Sequence, residues 1–540
     1  AYINLNYNSQ LLSRSSYSSA ADWQNLILED LNADRPVQYV GRTAPTGGSG
    51  HVFILHGYRT VSGVTQFKIN WGWGAGYNSG YYLLTELNVN GTSNSYNYHH
   101  QMYHGLRPKI NLNQAVILGG GTGALSQILV DAHRAGGSTT TYSADYSGVF
   151  NIDLAEAGNY QFTFYHTSGA YIPHITGWIP MHKGSNSIQS TPIVLESRPT
   201  LVHVPAQAAT IQEGIDLVAD GGAVIVASGT YSVNELSWAN KHVRLIGSNN
   251  PVLTSGSHAI KLDWSGINNT DRIHGFTFQH CYGYDNGPAI MLLEGASPLV
   301  SNCTFDANRV QGEYIMEFNN PSGYGGAVFI QGGSNQLNSP RFESCTFTNN
   351  AAANGNGGGA VALFGPASFL SCTFTDNWTE TAVGFDPPSA YFAAGAILIY
   401  GNDYNGEILI HNCTFTGNSG QYRANDIWVA GSRGINKLTI DNCTFNPDTS
   451  YSSEPLICLF YDNMPYYEAS TTDFVLTMNK FYLLGKGAVD FHDYAGRCSM
   501  QFNNNIVNGL EGLTYGLKLH YYGGAPQNPD YFQFNNNTLL

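Results

Sequence analysis

Two residue types that could do nucleophilic or metal chemistry are considered first, the 17 histidines and the eight cysteines of the sequence. His51 is the most promising histidine, because it follows the glycine-rich loop Gly47-Gly48-Ser49-Gly50 and opens an apolar strand. An imidazole in such a place can take a proton from a nucleophile. The phrase Asn70-Trp71-Gly72-Trp73-Gly74 lies in the neighbouring sequence and strengthens this interpretation. Because most histidines are structural, a packed core histidine stays the alternative.

Four phrases in the first 109 residues resemble the C-terminal half of the streptopain-type cysteine peptidases, a papain-like family. They are Arg35-Pro36-Val37-Gln38-Tyr39-Val40-Gly41, Gly50-His51-Val52-Phe53-Ile54, Ile69-Asn70-Trp71-Gly72-Trp73-Gly74 and Tyr103-His104-Gly105-Leu106-Arg107-Pro108. A papain-like site needs a thiolate, an imidazole and a side-chain amide that orients the imidazole. The resemblance implies that His51 is the imidazole, with Asn70 and Trp71 beside it.

The nucleophile that the resemblance requires is missing from the expected place. In that family the cysteine precedes the histidine, whereas no cysteine occurs here before residue 281. We therefore expect the first half of the peptidase fold to lie outside this chain. A preceding chain supplies it, or the sequence is a fragment, or the module is an inactive remnant. By itself the chain is expected to have no peptidase activity.

The eight cysteines are read as buried thiols that act as small hydrophobic residues. They are Cys281, Cys303, Cys345, Cys372, Cys413, Cys443, Cys458 and Cys498. An occasional disulfide between neighbouring coils stays open. Metal binding is not expected of these cysteines, because the sequence has no Cys-x-x-Cys pair, and no metal or cofactor is predicted for the chain. His99, His100 and His104 suggest a metal cluster at first, but they fall in the final strand of the resemblance and are read as structural.

Composition excludes some partners and favours an exported protein. The net charge is −15 and only 11% of residues are charged, so nucleic acid is not an expected partner. No run of 18 apolar residues exists, so no membrane span is predicted. The chain does not open with a signal peptide, so a secreted protein would be seen here in its mature form. Abundant Gly, Tyr, Asn and Ser favour an extracellular or bacterial cell-surface β-rich protein.

Two small modules are predicted before residue 199. Residues 1–109 read as mixed α/β, with a helix from Ala20 to Leu31. The strands predicted to follow are Pro36 to Gly41, His51 to Gly57, Gln66 to Trp71 and Gly80 to Thr85. Residues 110–198 contain the strictly alternating run from Gly158 to Phe164. Their Gly-x-aromatic phrases resemble carboxypeptidase regulatory-like β-sandwiches, which implies a rigid spacer.

A repeated phrase organises the rest of the chain. It reads Asn/Ser-Cys-Thr-Phe and places Cys303, Cys345, Cys372, Cys413 and Cys443 at spacings of 42, 27, 41 and 30 residues. Repeats of this length indicate a solenoid. Cys and Phe are two residues apart, so in a strand both face inward. An asparagine three residues after the Phe is assigned to a turn, because it tolerates left-handed geometry. These phrases and Gly-Gly-Ala-Val/Ile resemble the repeats of polymorphic outer-membrane proteins, over roughly residues 275–445.

The predicted fold is mainly β. A right-handed parallel β-helix over 199–540 follows the partial papain-like α/β module over 1–109 and the small β-sandwich over 110–198. The capping box of Thr210 and Glu213 opens a short helix, to about Ala219, that should cover the first coil. At the other end the chain stops within a coil phrase, so either flanking sequence or another copy of the chain is expected to cover it, the latter as a fibre.

Three functions stay open at this point. The first is a structural or adhesive surface protein that descends from a cysteine peptidase, with other copies of itself, surface glycans or surface proteins as partners. The second is an active secreted cysteine endopeptidase whose nucleophile-bearing half lies upstream and pairs with this chain. The third is a glycan-binding or pectin-degrading β-helix. A degrading site would need clustered carboxylates, and no recurrent Asp-x-Asp pair occurs on the predicted strands.

Overall fold

The computed structural model describes most of the 540-residue chain. The described residues are 7–74, 80–89, 92–120, 123–311, 323–332, 339–353, 357–380, 393–401, 406–420, 424–431, 435–446, 454–461, 473–483, 487–493, 498–509, 515–521 and 532–540. The chain forms two compact units, Ala1–Ser197 and Arg198–Leu540. The finer division of the first unit at residue 109 stays a prediction. None of the described helices is long and apolar enough to cross a bilayer.

The first unit contains three antiparallel or mixed sheets and one α-helix. Helix α1 spans Ala20–Asn32, and Ser19 caps its start by accepting a hydrogen bond from the Asp22 amide at 3.0 Å. Two 3₁₀ turns lie at Arg14–Ser16 and Leu125–Gln127. The strands are β1 Tyr7–Ser13, β2 Val37–Arg42, β3 Gly50–Val61, β4 Val64–Asn70, β5 Tyr81–Tyr82, β6 Tyr98–Pro108, β7 Ile110–Gly119, β8 Ile128–Arg134, β9 Thr139–Ser143, β10 Val149–Asp153, β11 Gly158–His166, β12 His174–Ile175, β13 Ile179–Met181, β14 Gly184–Asn186 and β15 Ile193–Glu196.

Strands β1 to β6 form one sheet in the order β1-β6-β2-β3-β4-β5. The predicted strand from His51 to Gly57 runs on to Val61, because the two-residue turn Ser62-Gly63 joins β3 to β4. Both turn residues have positive φ, 51° and 81°, as a tight hairpin turn requires. The predicted strand from Gly80 to Thr85 is reduced to two residues, Tyr81–Tyr82. Helix α1 packs on this sheet through Trp23 and Ile27, which are buried.

Strands β7 to β15 form two further sheets around one hydrophobic core. The sheet β10-β7-β14 also pairs β15 with β7, and the sheet β12-β11-β8-β9 also pairs β13 with β11. The alternation predicted for residues 158–164 is present in β11, where Tyr160, Phe162 and Phe164 are buried. Those three side chains share a core with Phe150 and Leu112 from the other sheet. The likeness of this part to one particular β-sandwich family stays a prediction.

The second unit is a parallel β-helix. Its first strand, Leu201–Val204, is followed by helix α2, Ile211–Leu217, whose Thr210–Glu213 capping box is present as predicted. Ile211 and Ile215 lie in the core of the β-helix, so α2 covers the first coil. The Cβ that an alanine would add at Gly214 would lie 3.0 Å from Val204 and Val224 methyls. The glycine therefore lets the helix lie close to the coil.

Successive coils contribute strands to the same sheets, and neighbouring strands are parallel. The twelve-stranded sheet contains Leu201–Val204, Gly222–Val226, Val243–Gly247, Arg272–His274, Leu299–Ser301, Arg341–Glu343, Ala367–Leu370, Gly406–His411, Ile435–Asp441, Asp473–Thr477, Ser499–Asn503 and Phe532–Gln533. The eleven-stranded sheet contains Thr230–Ser232, Val252–Thr254, Thr277–Gln279, Thr304–Asp306, Thr346–Thr348, Thr373–Thr375, Thr414–Thr416, Thr444–Asn446, Lys480–Tyr482, Ile506–Asn508 and Thr538–Leu539.

Three further sheets complete the coils. The nine-stranded sheet contains Ile260–Leu262, Ile290–Leu292, Val328–Gln331, Val361–Phe364, Ile397–Tyr400, Ile427–Gly431, Ile457–Tyr461, Gly487–Asp493 and Tyr515–Tyr521. The smaller sheets contain Tyr282–Gly283, Arg309–Gln311, Ala351–Ala353 and Trp378–Glu380, and the pair Gly357–Gly358 and Ala393–Ala394. The mainly β architecture and the parallel β-helix predicted from the repeats are thus confirmed, whereas the right-handed course of the coil stays a prediction.

The repeated phenylalanine forms a continuous stack inside the β-helix. Ring centroids of successive coils are 4.6–4.9 Å apart and the rings are within 11° of parallel; the stack runs Phe278, Phe305, Phe347, Phe374, Phe415, Phe445 and Phe481. The eight cysteines are free thiols and all are buried, as predicted. Burial raises the pKa of the Cys281 thiol to about 12, so this thiol stays protonated and unreactive.

The asparagines after the phenylalanine do not adopt the left-handed conformation that the sequence suggested. The residue before each of them does, with φ of 50° at Ala307, 52° at Asn349 and 53° at Asp376. Asn308 itself is fully buried. Its Nδ2 donates to the Phe278 carbonyl at 3.0 Å, and its backbone amide donates to Asn350 Oδ1 of the next coil at 3.1 Å. The asparagine side chain is buried because it must accept the hydrogen bond of a backbone amide in the preceding coil. That amide lies at a corner and has no partner in a strand.

This asparagine ladder ends at a buried carboxyl group. Asn350 bonds to Asn377 and Asn377 to Asn418 in the same way, and Asn418 Nδ2 then donates to Asp426 Oδ1 at 2.9 Å. Asp426 is 1% exposed, and burial raises the pKa of its carboxyl group to about 8. Because the folded state holds this proton more tightly than the unfolded state does, the contribution of Asp426 to stability falls as pH rises.

Phe374→Ala should lower the free energy of unfolding by about 3–5 kcal/mol, because it leaves a cavity between Phe347 and Phe415. Urea or thermal unfolding of the full chain measures the loss. The matched control is Phe534→Ala, since Phe534 is 44% exposed and its loss should cost far less. Equal effects of the two substitutions would contradict a core stack.

Asp426→Asn should raise the unfolding temperature at pH 7 and leave it nearly unchanged at pH 4. The free energy at stake is on the order of a few kcal/mol, from about 1.4 kcal/mol for each unit of pKa shift. The stability that wild type loses between the unfolded pKa of 3.8 and the folded pKa of about 8 should be smaller in the variant. Asp263→Asn, at an exposed carboxylate, is the control and should show no such pH-dependent gain.

Candidate active site around His51

His51 lies on the edge of the first hydrophobic core. It is the second residue of β3 and pairs with Gly41 of β2. Because strand side chains alternate, His51 shares a face with Phe53 and Leu55, which are buried. The imidazole itself is half-buried. The strand therefore presents His51 where the apolar core meets the surface.

The ring of His51 is held by one hydrogen bond and a set of aromatic rings. Its Nε2 lies 2.7 Å from the Trp71 carbonyl oxygen. Ring centroids of Trp73 and Tyr96 are 4.4 and 5.2 Å away, and that of Phe53 is 6.2 Å away. A carbonyl oxygen can only accept, so Nε2 carries the hydrogen and Nδ1 is the proton acceptor of the neutral ring. No residue that the structure describes donates to Nδ1.

Trp71 and Asn70 form a turn directly after β4. The Asn70 Oδ1 accepts a hydrogen bond from the Gly72 amide at 3.0 Å, and Gly72 and Gly74 have φ of 81° and 89°. These left-handed positions explain why the phrase alternates with glycine. Asn70 is exposed and fixes the turn that presents the Trp71 carbonyl to His51. The role predicted for the Asn70 amide, orienting the imidazole directly, stays a prediction.

The Trp71 side chain anchors this turn in the core. It is 2% exposed, and its ring centroid is 4.6 Å from that of Phe53 and 5.3 Å from that of Tyr82. Within the described part of the chain, the buried indole Nε1 has no hydrogen-bond partner. The sequence could indicate Trp71 as a neighbour of His51, but the contact through its main-chain oxygen is visible only in the folded turn.

His99, His100 and His104 of β6 each contact a different group. The His99 Nε2 contacts the Pro45 carbonyl, and His100 Nε2 lies 3.1 Å from the Tyr96 carbonyl. His104 Nε2 lies 3.7 Å from Glu29 and 3.8 Å from Asp30. Burial lowers the pKa of His100, which favours the neutral ring. The three side chains are therefore engaged separately.

A set of side chains that could hold a metal lies in the other unit. Among the described residues, Asp490, His492 and His520 are the group of three whose donor atoms converge, within 4.8 Å of one another. The sequence did not indicate them, because His492 and His520 are far apart in the chain. The signal that it offered was the Asp-x-His alternation of Asp490 and His492 on one strand face.

The Peptidase C10 family matches residues 2–82 of this chain. The matched segment includes His51, Asn70 and Trp71. A curated relative, the thiol protease/hemagglutinin PrtT of Porphyromonas gingivalis, is 37% identical over 62 residues, which is 12% of this chain and 6% of that protein. The chain thus spans only a small part of the length of that relative. The streptopain-type resemblance is confirmed for this N-terminal segment.

Two solved structures are also similar to parts of the chain. Interpain A, a cysteine protease of Prevotella intermedia, is 26% identical over 18% of this chain and 37% of its own, with a TM-score of 0.16. A mannuronic-acid-specific family 6 polysaccharide lyase from human gut microbiota is 13% identical over 58% of this chain and 80% of its own, with a TM-score of 0.25.

Gly41→Ala should disrupt the surroundings of His51. The added Cβ would lie 2.3 Å from the Tyr96 carbonyl oxygen and 2.9 Å from Tyr96 Cβ, so the segment at Tyr96, whose ring packs on His51, must move away from Gly41. We expect a loss of about 1–3 kcal/mol in unfolding free energy and a change in the NMR signals of the His51 ring. Gly57→Ala is the control, because its Cβ would meet only Lys68 Cβ at an ordinary 3.7 Å. A neutral Gly41→Ala would contradict the packing described here.

Proposed function

We propose that this chain is an extracellular, peptidase-derived multidomain protein whose β-helix is a structural and adhesive scaffold. The observation that carries the peptidase origin is the contact of His51 Nε2 with the Trp71 carbonyl, inside the segment that matches Peptidase C10. This contact leaves Nδ1 as the proton acceptor, which suits a base beside a nucleophile.

The nucleophile for such a base is missing from this part of the chain. No cysteine occurs before residue 281, and all eight thiols are buried in the second unit. A thiol that is buried among apolar groups is not a nucleophile, because its thiolate is disfavoured. Within these 540 residues, His51 is therefore a base without a thiolate to activate.

The scaffold role rests on the β-helix and on composition. The described residues of the second unit bury continuous stacks of apolar side chains, which makes a rigid body with outward-facing strand surfaces. The low content of charged residues, 11%, suits an exported surface protein. A relative that matches the N-terminal segment is named both a thiol protease and a hemagglutinin, and we propose the same pairing of descent and adhesion here. Surface glycans, surface proteins and other copies of the chain, joined as a fibre, are the proposed partners.

A second candidate function is cysteine endopeptidase activity completed by a thiol from outside these residues. The availability of His51 Nδ1 favours it, because an imidazole held at Nε2 by a carbonyl is already oriented for proton transfer from an incoming thiol. In that case the β-helix is an accessory domain. His51 is the general base, and Asn70 and Trp71 form the turn that holds its ring.

The full chain alone should neither hydrolyse a fluorogenic peptide or casein nor react with a cysteine-directed epoxide probe. Co-expression with any cysteine-bearing segment that the gene encodes before Ala1 tests the second function. Activity in that mixture should be lost in His51→Ala and kept in the control His174→Ala, at a histidine of β12. Hydrolysis by the chain alone that depends on His51 would contradict the assignment of a base without a nucleophile.

The adhesive role is tested by the binding of immobilised full chain to erythrocytes and to a glycan array. Binding should be unchanged in His51→Ala, because the scaffold and not the imidazole carries it. Absence of binding to both surfaces, together with His51-dependent hydrolysis in the co-expression assay, would favour the peptidase function instead.

A further inference from the structure

Near its C-terminal end, the nine-stranded sheet of the β-helix changes the character of its outer face. Residues in register on that face are Met291, Phe329, Ala362, Leu398, Trp428, Cys458, Asp490 and Lys518. The first six are buried in an apolar cluster outside the main core. At Asp490 the same column becomes charged. Burying a carboxylate at the end of an apolar column costs folding free energy unless a partner binds it.

Two histidines lie beside Asp490 on the same face. Val489 and Phe491 point into the core of the β-helix, so Asp490 and His492 point outward. The next strand is parallel and places His520 in register with His492. The His492 and His520 rings are stacked with centroids 4.1 Å apart and 5° between their planes. One oxygen and two imidazole nitrogens thus converge, although His520 lies on a different coil.

Asp490 is the buried member of the group. It is 7% exposed, and within the described residues its Oδ1 accepts no hydrogen bond that meets normal geometry. His520 Nε2 approaches this oxygen to 3.7 Å, which is longer than a hydrogen bond. A carboxylate oxygen that is buried and directed at two imidazoles has the environment of a metal ligand rather than of a surface acid.

We propose that Asp490, His492 and His520 bind one divalent transition-metal ion. Two imidazoles and one carboxylate are a donor set that Zn²⁺ and its first-row neighbours prefer, and hard Ca²⁺ or Mg²⁺ would favour oxygen ligands alone. Three protein ligands leave the fourth position of a tetrahedral site to water. The ion joins strands Gly487–Asp493 and Tyr515–Tyr521, and so it holds two successive coils together.

The distances indicate what must change on binding. Donor atoms that share one Zn²⁺ at its usual bond lengths lie about 3.3 Å apart, and here they lie within 4.8 Å. Lone pairs of two parallel rings do not converge, so the rings must open from their stacked arrangement by side-chain rotation. Both histidines are partly exposed.

Tyr515 stands beside the proposed site. Its phenol oxygen is buried and, within the described residues, has no hydrogen-bond partner at normal geometry. A phenol in this place can turn to donate a hydrogen bond to Asp490, the usual role of a group that orients a metal ligand. The ammonium group of the exposed Lys518 lies 5.8 Å from the centroid of the Tyr515 ring. It is a positive charge near the proposed site and would repel a bound metal ion.

The test uses the full chain after treatment with a chelator. Calorimetric titration with Zn²⁺ should show one equivalent bound, Co²⁺ should give the visible absorption bands of a nitrogen- and oxygen-bound ion, and Zn²⁺ should raise the unfolding temperature. His520→Ala and Asp490→Asn should lose the stoichiometric binding and the Co²⁺ bands. Tyr515→Phe should weaken binding about 10–100-fold, as expected for a group that supports a ligand.

A matched control exists on another sheet. His411 and Asp441 lie on neighbouring strands, with His411 Nδ1 2.9 Å from Asp441 Oδ2, but this pair lacks the second histidine in register. His411→Ala should leave Zn²⁺ binding unchanged. Circular dichroism of the metal-free variants shows that each is folded before titration. Zn²⁺ binding that persists in His520→Ala, or no stoichiometric binding by folded wild type, would overturn the proposal.

Discussion

The spacing between parallel strands governs most of this molecule. Neighbouring strands of a sheet lie about 4.8 Å apart, so a coil that repeats in register puts each inward side chain directly on its equivalent in the next coil. Phenylalanine suits this spacing, and its rings stack at 4.6–4.9 Å from Phe278 to Phe481. The loops between strands can vary in length, because only the strands and corners must superpose.

The same constraint decides what lies at the corners on either side of the phenylalanine. A corner amide finds no partner in a strand and must be satisfied by a side chain of the next coil. The backbone amide of Cys372 donates to Cys413 Sγ at 3.4 Å, and that of Cys443 donates to Asn479 Oδ1 at 2.9 Å. Cysteine and asparagine therefore occupy equivalent places in one column. In the other column, the backbone amide of Cys281 donates to Asn308 Oδ1 at 2.9 Å. Both are small side chains with an acceptor atom, which is what the position requires.

In the first unit the arrangement does not depend on a repeat. A hairpin and a glycine-rich turn bring the Trp71 carbonyl oxygen into contact with the His51 imidazole. Strand β3 fixes the face of His51, and the turn after β4 fixes the Trp71 carbonyl. The hydrogen bond between them fixes the tautomer of His51, and it therefore determines which ring nitrogen can accept a proton. The proposed metal group in the β-helix arises likewise, from a strand register that brings His520 to His492.

The sequence by itself determined the β-helix, its inward Cys and Phe, the capping box of Thr210 and Glu213, and the helix at Ala20. Each depends on a pattern that is visible in the sequence itself, such as alternation, a cap or a repeat. Such a pattern can be recognised without knowing which segments lie side by side in the fold. It also indicated His51, Asn70 and Trp71 through a resemblance that the family match supports for residues 2–82. It placed the asparagines after the phenylalanine correctly at a corner, but not their conformation, because the left-handed residue is the preceding one, Ala307. Only the tertiary structure showed the buried ladder, since the partner of Asn308, Asn350, belongs to the next coil. The Trp71 carbonyl beside His51 and the meeting of Asp490 with His520 have the same cause: contacts between distant segments depend on register, and no local pattern encodes register.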